Sequence, residues 1–350
     1  MEQMRICQVV SGMLPIEQTG KRRWGAVEAI MDEYQKGMIN LGHTSDIKWL
    51  NEVRAEDYDI IHIHVANLCI EARNRGLPYL YSNHDHSSFH LGRNSFNYGH
   101  QLEAVKGSII SFCHAEYVID YFHDTDKLFY LEHGVDTSYY TPNNSINTKE
   151  HKLLMVANNG LCGDQGFDRK GFIYGIEAAK RLNLPITIVG ASANQEFFEI
   201  HSHLLEYPKL TVISNNPTEE EKVRLFQEHT IFLHPSMLEY GVPCLTQMEA
   251  ASCSLPVVGT YSGSRSIKGF HNIEKISTEE VLDGIILTMD RYDELKSAMI
   301  QDREKFDWRN ICLKLEKFYK NVVKVNKEYT SDITTELYTN AYNKTINKNA

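Results

Sequence analysis

Three short stretches of this chain carry residue types that could do chemistry. The first is His84-Asp85-His86-Ser87, directly behind an apolar run, with Arg93 a few residues on. Three titratable groups in a row can move protons or bind hydroxyl groups. Neighbouring residues rarely chelate one ion, so the run does not read as a metal site; a plain polar loop is the competing reading. The second stretch is glycine-rich and runs from Asn158 to Phe172, ending Arg169-Lys170-Gly171-Phe172. A loop between a strand and a helix offers backbone N–H groups and a positive helix end to a phosphate. Arg169 and Lys170 add charge at that end, which suits a departing diphosphate on which negative charge develops. The spacing is neither that of a Walker loop nor of a dinucleotide GxGxxG, and a solvated helix start with two surface cations explains it equally well. The third stretch, Glu239 to Gly259, places Glu249 at the head of a small, apolar segment. A carboxylate entering such a segment is costly unless it is paired. Ligand hydroxyls are suitable partners, and a helix start favours the charge by about 0.3–1 kcal/mol in any case.

Smaller features have blander readings. Lys21-Arg22-Arg23-Trp24 is a basic run with an aromatic, able to meet phosphate or simply to face solvent. Asp57-Tyr58-Asp59 and Asp124-Thr125-Asp126 have the DxD shape used by metal-dependent sugar transferases, but read as caps or turns. Cys162, Cys244 and Cys253 read as buried thiols.

The elements that must position these residues alternate in type. Arg5–Val10, Asp59–His64, Pro78–Ser82 and Gly107–Ser111 are short apolar runs with the character of buried strands. Between the first two, Val27, Ile30, Met31, Tyr34 and Met38 recur at helical spacing up to Gly42. The polar stretch Thr141–Thr148, with Pro142, interrupts the series and reads as a linker. A second series then follows, with strands at Leu153–Ala157, Leu184–Gly190, Ile231–Leu233 and Pro256–Gly259. Thr218 with Glu221, and Ser277 with Glu280, have capping-box spacing. The expected fold is α/β: two doubly wound, Rossmann-like domains facing each other across a cleft, with ligands at the carboxyl ends of the strands. Residues 1–145 and 146–305 form the two domains, 306–330 a closing helix and 331–350 a polar tail.

Bulk composition narrows the partners. The chain has 350 residues and a formal net charge of −10, which excludes broad electrostatic adhesion to nucleic acid or anionic membrane but not a local basic groove. Its seven Cys show no metal-like spacing, the mark of reduced thiols. No apolar run approaches the roughly 18 residues of a membrane span, and the N-terminus lacks a signal-peptide core. A soluble, cytoplasmic protein without membrane contact is expected.

Four segments in the same order resemble the family 4 glycosyltransferases and their GT-B relatives. His133-Gly134-Val135-Asp136 with Tyr140-Thr141-Pro142 resembles the segment closing the first domain. Arg169-Lys170-Gly171 resembles the donor-phosphate motif, Glu239 to Gly259 the paired-glutamate block, and Phe306-Asp307-Trp308 with Tyr319 the helix that returns to the first domain. Glu239 and Glu249 have nine residues between them, more than the family's pair. His84-Asp85-His86-Ser87, with Leu91 and Arg93-Asn94, further resembles the T-even phage glycosyltransferases that modify hydroxymethylcytosine in DNA, by glucose or by arabinose. Thr246–Glu249 and Lys170–Phe172 share that likeness.

The resemblance implies a sugar transferase, retaining and metal-independent, that uses a nucleotide-sugar donor, UDP-sugar, and no further cofactor. Arg169 and Lys170 would stabilise the leaving diphosphate, and Glu239 would face the donor sugar. Gly12, Gly171 and Glu249 would line the donor site, with Glu249 on the ribose. His84 and Asp85 would stand at the reacting sugar and the acceptor. Lys21, Arg22, Arg23, His86 and Arg93 would meet double-stranded DNA carrying hydroxymethylcytosine, the expected acceptor. Two other readings stay open: a transferase for cell-surface polysaccharide or lipid glycans, and a non-catalytic nucleotide-sugar-binding protein.

Overall fold

The structure is a computed structural model and describes residues 2–10, 26–84, 93–122, 126–143, 150–158, 168–190, 193–214, 217–237, 239, 243–260 and 267–328. Gly12, Lys21, Arg22, Arg23, Asp85, His86 and the polar tail lie outside the described residues. The chain divides into two compact units, one of residues 1–133 with 308–350, the other of residues 134–307.

The first unit holds a six-stranded parallel sheet: β1 (Arg5–Val10), β2 (Thr44–Trp49), β3 (Ile60–Ile63), β4 (Leu80–Asn83), β5 (Ser111–Cys113) and β6 (Leu128–Tyr130). Their spatial order is β2-β1-β3-β4-β5-β6. Ile6 pairs with Ile60 and Val9 with Ile63, so the apolar runs share one register. Helices α1 (Ala26–Asn40), α2 (Ala66–Asn74), α3 (Phe96–Gly107) and α4 (Glu116–Tyr121) connect them. Ile30, Met31, Tyr34 and Met38 are the buried face of α1, as their spacing predicts. Past its end, Gly42 takes φ 89°, a left-handed turn that suits glycine.

One expected strand is placed differently. Gly107 is the last residue of α3, a helix whose start is capped by Ser95 accepting from Tyr98 N (3.2 Å). The β5 ladder begins only at Ser111, after Ile109 N has reached Tyr79 O (2.8 Å). The Asp57-Tyr58-Asp59 run is structural: Asp57 holds Arg54, and Asp59 accepts from Arg5 N (2.8 Å).

The second unit repeats the plan with β7 (Leu153–Val156), β8 (Ile186–Val189), β9 (Leu210–Ile213), β10 (Ile231–His234), β11 (Val257–Gly259) and β12 (Phe270–Asn272). All are parallel, in the order β12-β11-β10-β7-β8-β9. Its helices are α5 (Phe172–Leu182), α6 (Ala193–Ile200), α7 (Glu219–Glu228), α8 (Leu245–Ser252), α9 (Thr278–Asp290) and α10 (Tyr292–Asp302). Thr218 and Glu221 form the reciprocal capping box at α7, and Ser277 accepts from Glu280 N (3.2 Å) at α9. This unit opens at Gly134, ahead of the polar Thr141–Thr148 stretch, because Val135 and Tyr140 are buried in its core. Val135 N donates to Phe306 O (2.9 Å), and Asp307 accepts from the Thr137 hydroxyl (2.6 Å), so Phe306 and Asp307 also stay in this unit. The final helix, α11 (Trp308–Glu328), belongs to the first unit, where Ile311, Cys312, Leu315, Tyr319 and Val322 are fully buried.

Candidate active site

In an open parallel sheet, ligands gather where the strand order reverses, at the carboxyl ends. In the second unit that point lies between β7 and β10. The connection leaving β7 ends at Arg169 and Lys170, and the one leaving β10 carries Glu239. The two connections are stitched together: Met237 N donates to Arg169 O (2.8 Å), and the Ser236 hydroxyl donates to the same carbonyl (3.2 Å). Gly171 makes this approach possible. It takes φ 72°, and a Cβ there would drive into the Pro235 carbonyl. Asp168 caps α5 by accepting from Ile173 N (2.7 Å).

The result is a buried ionic cluster. Lys170 Nζ binds Glu239 Oε1, with Arg169 Nη1 at 3.9 Å and His234 Nε2 at 3.0 Å from the same oxygen. Cys244 Sγ lies 3.5 Å from His234 Nε2. Burial alone would raise the Glu239 pKa, but Lys170 and then His234 hold it well below the usual carboxylate value. Burial likewise opposes charge on His234; the Cys244 thiol and Glu239 override it and lift that pKa to about 9. Burial pushes the Cys244 thiol up, yet His234 brings it below its ordinary 9.0. Two basic side chains and His234, itself shifted towards its charged form, thus share one carboxylate at the start of a helix, an arrangement suited to an incoming polyanion.

Glu249, on α8, has a different environment. Its Oε1 accepts from Lys222 Nζ (2.8 Å) and the Tyr140 hydroxyl (3.1 Å). Its Oε2 is buried and meets no hydrogen-bond partner among the described residues. One oxygen is therefore tethered while the other is a spare acceptor in a dry position, where a ligand hydroxyl would be well received.

In the first unit, His84 follows β4 and joins a stack of imidazoles. Ring centroids of His64 and His84 lie 5.3 Å apart, of His84 and His114 4.4 Å, and of His114 and His133 4.5 Å. Adjacent parallel strands sit roughly 4.8 Å apart, so rings placed alike at neighbouring strand ends must stack. Burial lowers the pKa of His62 to about 3 and of His114 to about 4, and holds His64 and His84 well below 6.5, so these four are neutral. Arg93 is exposed, with its guanidinium 5.0 Å from the Tyr121 ring centre.

Among the described residues, two groups have donor atoms close enough to hold a metal ion: His84, His114 and His133, and His234, Glu239 and Cys244. In the second, an ion would compete with Lys170 for Glu239. In the first, interplanar angles of 12° and 24° set the lone pairs side by side rather than converging, unlike the directed ligands of a tetrahedral site.

The structure brings Arg169, Lys170, Gly171 and Glu239 together and gives Glu249 its own polar cluster. Sequence reading missed His234, Lys222 and Tyr140 as partners, and treated Cys244 only as a buried thiol. The histidines did leave a signal: His62, His64, His84, His114 and His234 all stand at or just past the end of a buried strand.

Comparison with known proteins bears on the fold and on part of the second unit. Residues 143–267 match the family of glycosyl transferases group 1. No curated protein matches the chain. Among solved structures, a glycosyltransferase from Rickettsia africae ESF-5 has a TM-score of 0.68 at 16% identity, covering 93% of this chain and 100% of that one. Anabaena Alr3699/HepE in complex with UDP and glucose has a TM-score of 0.69 at 13% identity, covering 91% of this chain and 100% of that one. WaaG, a glycosyltransferase involved in lipopolysaccharide biosynthesis, has 0.63 at 14%, over 90% and 99%. The fold is that of the GT-B glycosyltransferases. The segment matched by that family holds the ionic cluster of the second unit.

Proposed function

We propose that this chain is an enzyme that transfers a sugar from a UDP-sugar to a hydroxyl acceptor, with retention and without a metal. The observation that carries the reading is the Arg169–Lys170 pair at the start of α5, held against Glu239 at the switch point of the second sheet. The bond from the anomeric carbon to the diphosphate breaks, and its electron pair leaves on the phosphate oxygen. The acceptor oxygen bonds to the anomeric carbon, and its proton passes to the departing phosphate oxygen. Lys170 and Arg169 neutralise the charge that grows on the leaving group, in a site where burial strengthens that interaction. Gly171, without a side chain, admits the Pro235 carbonyl and so keeps the loop bearing Arg169 and Lys170 against the connection that carries Glu239. The spare Oε2 of Glu249 accepts from a ribose hydroxyl. Glu239 faces the donor sugar, and neutral His84 accepts a hydrogen bond from a reacting hydroxyl, with Asp85 beside it in sequence. The use of UDP is supported by the Anabaena structure, whose complex holds UDP and glucose.

For the acceptor, the His84–Asn94 segment favours the hydroxymethyl group of 5-hydroxymethylcytosine in DNA. Such a base must leave the helix stack to reach the sugar. With a net charge of −10, contacts to DNA must be local, and Gly12 on the donor side and Lys21, Arg22, Arg23, His86 and Arg93 on the acceptor side complete the proposed site. Incubation with hydroxymethylcytosine duplex and mixed UDP-sugars, followed by nucleoside mass spectrometry, tests this. A hexose or pentose increment is expected. UDP release without an increment would reassign the acceptor to a saccharide or lipid and leave the donor chemistry intact.

A further inference from the structure

A line of hydrogen bonds runs through the first unit from His84 into its core. His84 Nε2 meets His64 Nδ1 at 3.0 Å, His64 Nε2 meets Gln8 Oε1 at 2.7 Å, and Gln8 Nε2 meets the Tyr319 hydroxyl at 3.3 Å. The hydroxyl meets His62 Nδ1 at 2.7 Å, and His62 Nε2 meets Ser82 Oγ at 2.9 Å. Four elements supply these groups: β1, β3, β4 with the residue after it, and α11. Gln8, His62, Ser82 and Tyr319 are wholly buried.

Each neutral imidazole carries one N–H, so the line can run in only two directions, related by a flip of the Gln8 amide. The distances select one. In the flipped form the 2.7 Å contact would be an amide N–H to an imidazole nitrogen, which is too short, and the 3.3 Å contact an O–H to a carbonyl, which is too long. In the direct form a 2.7 Å contact joins the Tyr319 O–H to His62 Nδ1, the length expected for an O–H donor.

We infer that Gln8 and His64 are positioning residues that hold His84 as the Nε2–H tautomer, leaving the lone pair on Nδ1. His84 then presents an acceptor and never a donor at Nδ1, so it takes the hydrogen of a neutral hydroxyl and gives nothing to an anion. Burial keeps the imidazoles of the line uncharged, which the one-proton count requires. The use of this lone pair in sugar transfer rests on the function proposed above; the tautomer itself does not.

The test is long-range proton–nitrogen spectroscopy of the full-length protein labelled with 15N-histidine, each ring assigned by its loss in a single-histidine variant. Protonation at Nε2 is expected for His62, His64 and His84. His114, whose Nδ1 donates to Leu131 O (2.8 Å), gives the opposite pattern as an internal contrast. Nδ1–H at His64 or His84 would overturn the inference. In Gln8→Leu the acceptor for His64 is gone, and His84 is expected to become a mixture of tautomers. An unchanged single tautomer there would remove Gln8 from the role. Should that variant not fold, the wild-type spectrum still decides the direction. None of these readouts needs turnover, so an inactive preparation leaves the result valid.

Discussion

At the scale of single residues, the site depends on which charges have partners. Lys170 is almost buried, yet its charge is held by Glu239 before any ligand arrives. A diphosphate would take over that charge when the sugar departs, so Lys170 acts chiefly in the transition state. Lys170→Ala should lower kcat by about a hundredfold or more, in the range measured for a lost preorganised charge contact. Steady-state kinetics will read it, and an unchanged kcat would remove Lys170 from the mechanism. Glu249 differs, because under the proposed function its spare Oε2 would serve binding rather than bond breaking. Glu249→Gln leaves the shape and removes a charged acceptor, so donor affinity should fall by roughly ten- to a hundredfold, about 1.5–3 kcal/mol. Titration of UDP into the variant checks this; unaltered affinity would free the ribose from Glu249.

At the scale of elements, strand ends set the chemistry. The stacked histidines exist because β3 to β6 present neighbouring ends at a fixed spacing, and their neutrality couples stability to pH. The sign follows from the lowered values. Between about 3 for His62 or about 4 for His114 and the ordinary 6.5, the unfolded chain binds more protons than the folded one. The contribution of these lowered histidines is therefore full above pH 6.5 and should fall as pH drops through that window, by up to about 1.4 kcal/mol per pH unit for each of them. Denaturant unfolding at pH 7, 6 and 5 measures this, and a flat profile would contradict it. Gly171→Ala should destabilise by about 1–3 kcal/mol, since a side chain would suffer both the left-handed backbone and the Pro235 carbonyl. An unchanged unfolding midpoint would show that the loop can yield. The central strands and the first turns of α7 and α9 were legible in the sequence, because continuous apolar runs announce the strands and capping residues the helices. The edge strands β2, β9 and β12 were not: they are half-exposed and mix polar with apolar residues, so no run marks them. The Tyr140–Glu249 contact was hidden for another reason, since it joins residues 109 apart in the chain.

At the scale of the whole molecule, two parallel six-stranded sheets follow one plan. Their likeness to solved glycosyltransferases extends over more than nine-tenths of the chain at 16% identity or below, so the architecture persists where most residues differ. The candidate donor residues were nameable from the sequence because they lie in short motifs behind β7 and around α8. The histidine line was not, because its members come from four elements and only folding brings them together. The central claim is that the ionic cluster of the second unit receives the diphosphate of a UDP-sugar. Isothermal titration of UDP and UDP-glucose into the full-length protein and into an Arg169→Ala, Lys170→Ala double variant tests it most directly. Saturable binding to the wild type is expected, weakening by an order of magnitude or more in the variant. No binding to the wild type, or equal affinity in both, would contradict it.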